Sequence, residues 1–152
     1  MSTQNLADKS LSEIYKKISS VVPEVEWKFH APLIEKINKL KKEKDAVILA
    51  HNYQTPEIYH GVADISTDSL ALALEAAKTE AKIIVLCGVH FMAETAKLMN
   101  PSKKVLIPDM QAGCSLAESI TGEDVRMLKE KYPGVPVAVS YTHLTLPTKR
   151  IV

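Results

Sequence analysis

Three short apolar runs, Ala46-Val47-Ile48-Leu49-Ala50, Lys82-Ile83-Ile84-Val85-Leu86 and Lys104-Val105-Leu106-Ile107, recur with helix-forming sequence between them. This alternation constrains the fold more than any other feature of the chain. A strand that is apolar on successive residues must be covered on both faces, and an intervening helix returns the chain parallel to its predecessor. The pattern predicts an α/β domain, a three-layer αβα arrangement with a short parallel sheet and right-handed crossovers. Strands are expected near residues 46–50, 82–87 and 104–107, and a fourth is expected to begin at Val135-Pro136-Val137-Ala138.

The helices between and before these strands have readable ends. Ser10-Leu11-Ser12-Glu13 has capping-box spacing, with Ile14 and Ile18 following on one face until Pro23. A second helix is expected to open near Pro32 and to bury Leu33, Ile34, Ile37 and Leu40. Its lysines, Lys39, Lys41, Lys42 and Lys44, suit a solvated helix end. Thr55-Pro56 opens a short helix, and a longer one from about Ser69 to Lys78 places Leu70, Leu74 and Ala77 on one face. Helices over Phe91–Met99 and from Thr121 to Tyr132 complete the set. Residues 1–30 are thus expected to form a helical arm, its part before Pro23 packing loosely or separately, and residues 31–138 the αβα domain with the start of the next strand.

A chain of 152 residues suffices for one domain with a real core. A formal net charge of +1 provides no global field toward nucleic acid or a membrane surface, so neither is expected as a partner. The two cysteines, Cys87 and Cys114, form no CxxC pair, and the residues after Met1 do not resemble a secretory signal. A cytoplasmic setting with reduced thiols is expected.

In parallel sheets of this kind ligands sit beyond the carboxyl ends of the strands. That rule selects His51-Asn52-Tyr53-Gln54, Gly88-Val89-His90 and Pro108 through Cys114. His51 and Tyr53 share a side if the chain stays extended, and they read equally as a proton-transfer pair or as a strand end tied down by hydrogen bonds. Asp68-Ser69 opens an apolar helix; capping accounts for it, and the same geometry can hold a carboxylate or phosphate. Cys114, in Gln111-Ala112-Gly113-Cys114-Ser115-Leu116, sits in a small-residue turn after a strand, where a thiol can become a metal ligand or nucleophile. Cys87 reads as a core thiol, and His30, His60 and His90 have no comparable setting.

Together, Ile48-Leu49-Ala50-His51-Asn52-Tyr53-Gln54-Thr55-Pro56-Glu57-Ile58, Asp68-Ser69-Leu70, Gly88-Val89-His90-Phe91-Met92-Ala93-Glu94-Thr95-Ala96-Lys97 and Gln111-Ala112-Gly113-Cys114 resemble the quinolinate synthase family over about Ala31 to Ala138. The resemblance implies a fold of three similar αβα domains around a central site, each supplying one cysteine to a 4Fe–4S cluster. It implies condensation of iminoaspartate with dihydroxyacetone phosphate to quinolinate, for NAD biosynthesis, with an aspartate-oxidising enzyme as functional neighbour. It assigns His51 and Ser69 to the iminoaspartate carboxylates, Tyr53 to proton handling, Asp68 to the edge of the site and Cys114 to the cluster. The other two cluster cysteines are absent, so the chain is expected to be an inactive fragment. Two other readings remain: a small dicarboxylate-binding module without cluster chemistry, or one part of a split enzyme.

The family's Tyr-x-Asn segment after the fourth strand is also missing. In its place Val139-Ser140-Tyr141-Thr142-His143-Leu144-Thr145-Leu146-Pro147-Thr148 matches one reading frame of a transposase-type sequencing adapter. Residues 139–152 are therefore expected to be a non-native tail and are excluded from functional reasoning. Re-amplifying and sequencing the source gene should replace them; an unchanged reading through Val152 would refute this origin.

Overall fold

The computed structural model describes residues 10–137. The chain divides after Ala112 into two compact units. In the first, α1 (Leu11–Ile18) and α2 (Glu24–Glu43) precede β1 (Ala46–His51), a π-helical turn (Glu57–Val62) and β2 (Ile65–Thr67). It continues through α3 (Ser69–Lys78), β3 (Ile83–Cys87), α4 (His90–Met99) and β4 (Lys104–Leu106). The second contains α5 (Gly122–Lys131), opened by a capping box between Thr121 and Asp124.

The sheet is parallel throughout, in the order β2-β1-β3-β4. β1 lies against β3 from Ala46↔Ile83 to Ala50↔Cys87, and against β2 from Leu49↔Ile65 to His51↔Thr67. Alternation along β1 feeds two cores. Ile48 and Ala50 join Ile14, Ile18, Val22, Ile34, Val62, Ala63 and Cys87 on one face. Val47 and Leu49 join Leu72, Ala76, Ile84, Leu86, Ala93 and Ala96 on the other. Helices therefore cover both faces, as the continuous apolar strands require. Fully buried side chains such as Leu49, Ile84 and Leu86 each contribute on the order of 1.5–3 kcal/mol relative to exposure.

Several elements differ from the sequence expectation. The segment before Pro23 is not a loose arm: Ile14, Ile18 and Val22 are buried core residues that pack with Ile34, Val62 and Ala63 over Ile48 and Ala50 of the sheet. α2 begins at Glu24 and runs across the boundary expected after residue 30, with Pro32 inside it. Of its expected stripe only Ile34 is buried, while Leu33, Ile37 and Leu40 are exposed. On α3 the buried residues are Leu72, Ala73 and Ala76, and Leu70 and Leu74 face outward. The helix is apolar nearly all round, so periodicity could not choose a face. β2 was not anticipated, and Val135–Val137, where a strand was expected to begin, carry no strand pairing. Ala138 and the proposed tail 139–152 lie outside the described residues.

A buried ion pair fastens α2 to the loop leading into β2. Lys41 Nζ lies 2.6 Å from Asp64 Oδ1, with the two side chains 10% and 3% exposed. Asp64 Oδ2 accepts the Ile48 amide at 2.8 Å, and Lys41 also donates to the Val62 carbonyl at 2.9 Å. Nearby, a Cβ on Gly61 would come within 2.8 Å of Ile34 Cδ1, so glycine permits the close approach of α2 to the π-helical turn. Lys41→Met strands the Asp64 carboxylate without its counter-charge and should cost about 3–5 kcal/mol in urea unfolding. Lys36→Met, on an exposed position of the same helix, should stay within about 0.5 kcal/mol. Equal effects of the two would show that the pair holds nothing.

Candidate functional site

The strand order fixes where a crevice forms. From β1 the chain steps to β2 on one side, then to β3 on the other, so the topological switch point lies between the carboxyl ends of β1 and β3. His51 is the last residue of β1 and Gly88 directly follows β3. A Cβ on Gly88 would lie 3.1 Å from Leu86 Cδ2 and Met92 Sδ, and 3.6 Å from His51 Cβ. Glycine here leaves room for the Leu86 and Met92 side chains, and His51 lies at ordinary contact distance beside them.

His51 is buried, at 8% exposure, and Tyr53 stands at 90%. Their rings meet edge to face, with centroids 4.6 Å apart. The expected shared side is observed, but alternation is not its cause. The chain turns after β1: the Gln54 amide donates to the His51 carbonyl at 3.0 Å and the Asn52 amide to the Thr67 carbonyl at 3.1 Å. Within this turn the Tyr53 amide donates to His51 Nδ1 at 3.3 Å.

Asp68 caps α3, its Oδ1 accepting the Ala71 amide at 2.9 Å, and Ser69 is the first residue of that helix. Burial pulls the His51 pKa below its ordinary value, and the Asp68 carboxylate, acting the other way, offsets only part of that. The first unit thus brings together His51, Tyr53 and Asp68, with Ser69 adjoining. His90, at the start of α4, pairs its Nδ1 with Glu94 Oε1 at 3.5 Å on an exposed helix face. His60 contacts the Tyr59 ring.

The two cysteines are free and differ in environment. Burial pushes the Cys87 thiol up to about 11, which keeps it protonated and suits the core role expected of it. Cys114 belongs to the second unit and is half-buried, with its carbonyl accepting the Glu118 amide at 2.9 Å. Among the described residues no group of three or more His, Cys, Asp or Glu is placed to hold a metal ion. The residues present therefore do not by themselves make a cluster site. No helix among the described residues is long and apolar enough to cross a membrane.

The environment of His51 makes stability depend on pH. The unfolded chain takes up a proton near the ordinary value of 6.5, while the folded chain does so only at lower pH. The stabilisation is complete above 6.5 and is lost as pH falls from there through the folded value. Asp68→Asn removes the opposing carboxylate charge and should steepen the loss, whereas His51→Gln should abolish this component. Urea unfolding across this range reads both, and an unchanged pH slope in His51→Gln would contradict the assignment.

Comparison with known proteins adds an independent finding. The sequence profile described as quinolinate synthetase A protein matches residues 35–151, a span that takes in most of the stretch set apart as a tail. The quinolinate synthase of Sinorhizobium fredii is 60% identical over 141 residues, which are 93% of this chain and 39% of that protein. That of Caulobacter vibrioides is 60% identical over 136 residues, covering 90% of this chain and 37% of its own. That of Xylella fastidiosa is 66% identical over 116 residues, covering 76% and 34%. The chain spans about two fifths of the length of the first two relatives.

Proposed function

The chain belongs to the quinolinate synthetase A protein family, and from that membership we propose that it forms part of a cytoplasmic quinolinate synthase. The reaction would condense iminoaspartate with dihydroxyacetone phosphate, with an aspartate-oxidising enzyme supplying the first substrate. The observation that carries this reading is the coincidence of two independent lines. The family match covers most of the chain, and the residues that the motif resemblance assigns to the site, His51, Tyr53, Asp68 and Ser69, lie along the carboxyl edge that strand order selects for ligands.

The proposed roles follow from the chemistry of each group. His51 and Ser69 supply hydrogen-bond donors to the carboxylates of iminoaspartate. Asp68 fixes the start of α3, and so the position of Ser69, through its bond to the Ala71 amide. Tyr53, exposed beside His51, offers a phenolic hydroxyl that can give or take a proton at a reacting carbon or oxygen. Cys114 would provide one thiolate ligand to a 4Fe–4S cluster, whose chemistry when bound is that of a Lewis acid. The cluster would need further thiolates than these residues offer: Cys87 is buried and protonated, and the sequence holds no third cysteine.

The 152-residue chain should therefore neither make quinolinate nor hold a stable 4Fe–4S cluster. Anaerobic reconstitution with iron and sulfide, read by visible absorbance and a quinolinate assay, checks both. Stoichiometric cluster with turnover would overturn the reading. In a full-length family protein carrying this sequence, Cys114→Ala should remove cluster and activity together; retained activity there would show that Cys114 is not a ligand.

A further inference from the structure

The turn after β1 does more than bring two rings together: it fixes which nitrogen of His51 carries a hydrogen. We infer that His51 works as a neutral Nε2–H hydrogen-bond donor, with Nδ1 held as an acceptor by the Tyr53 amide, and that proton transfer falls to another group. What the Nε2–H meets, a carboxylate oxygen of the substrate, rests on the function proposed above; the tautomer itself does not.

A neutral imidazole has one N–H and one lone pair, so committing one nitrogen decides the other. The partner of Nδ1 is a backbone amide at 3.3 Å, a group that can only donate, so Nδ1 must present its lone pair. The amide is not free to swing away. Its neighbours on both sides are tied, Asn52 to the Thr67 carbonyl at 3.1 Å and Gln54 to the His51 carbonyl at 3.0 Å. The Tyr53 ring packs edge to face against the imidazole, with centroids 4.6 Å apart. Among the described residues no protein group accepts from Nε2, which is left for a ligand.

The charged and titratable groups around the ring are few. Asp68 at the cap of α3 bears on it electrostatically, and Tyr53 touches it; Gly88, beside it at the end of β3, brings no charge. Burial outweighs Asp68 and keeps the ring neutral at neutral pH. A general base at this position would need the Nε2 lone pair, which this tautomer does not offer. A carboxylate, which only accepts hydrogen bonds, is what an Nε2–H fits.

Long-range 1H–15N correlation spectra of the 15N-labelled chain at about pH 7.5 test the inference directly. The expected pattern for His51 is a pyridine-type Nδ1 and a pyrrole-type Nε2. A pyrrole-type Nδ1, two pyrrole-type nitrogens, or an averaged pair would each overturn it. Through-bond correlation to the His51 backbone assigns the signals without a variant, and His51→Gln checks the assignment by deleting them. The spectrum decides the tautomer whether or not the family enzyme makes quinolinate. Loss of the synthase reading and loss of this inference are therefore separate outcomes.

Discussion

β1 is hydrogen-bonded along both sides, and its side chains are buried on both faces. That double constraint organises the first unit. Ile48 and Ala50 need the cover of α1, α2 and the π-helical turn, and Val47 and Leu49 need that of α3 and α4. Neither layer is optional, because a parallel sheet with one bare face would expose residues that have no polar alternative. The same requirement draws Ile14 and Ile18 into the core, far in sequence from the strand they cover.

The position of β1 also produces the crevice. β1 leads out toward β2 and its neighbour β3 leads out toward β4 on the other side, so the segments leaving their carboxyl ends diverge beside His51. The Lys41–Asp64 pair serves this arrangement from below. Asp64 joins α2 to Ile48 in mid-strand and immediately precedes β2, whose last residue, Thr67, accepts the Asn52 amide of the crevice turn. A chain of bonded groups thus runs from an α2 lysine to the turn that carries Tyr53. Rigidity of that kind is what a site needs to hold donors within a few tenths of an ångström.

The parts of this legible in the sequence were those where one interaction dominates. Apolar runs gave β1, β3 and β4, and Asp68 and Thr121 marked helix starts through the acceptors they supply. β2 was illegible because Ile65-Ser66-Thr67 is too short and too polar to carry a strand pattern; pairing with β1 creates it. The face of α3 was illegible for the opposite reason, since Leu70, Leu72 and Leu74 offer apolar choices on every side. For α2, local periodicity selected Leu33 and Leu40, but the tertiary partner, the π-helical turn with Gly61, lies against Ile34. At the site, the residues were identifiable by their place after a strand. The turn that joins His51 to Tyr53 was not, because it depends on the Thr67 carbonyl of a strand that could not be foreseen.

Burial acts on His51 and Cys87 in opposite directions on the pH scale, yet with one chemical result. Each is about 8% exposed at the end of adjacent strands. Desolvation lowers the imidazole pKa and raises the thiol pKa, so both groups are held in their neutral forms. The strand ends that floor the crevice therefore carry no formal charge, and the nearest carboxylate, Asp68, stands exposed at its rim. An anionic ligand there would be met by oriented neutral donors and the amides at the start of α3, not by a buried counter-ion. Such recognition is directional. A site built from fixed hydrogen-bond donors rejects a ligand that lacks the matching acceptor, because its own buried groups are then left unpaired. A bare positive charge would accept any anion of similar size.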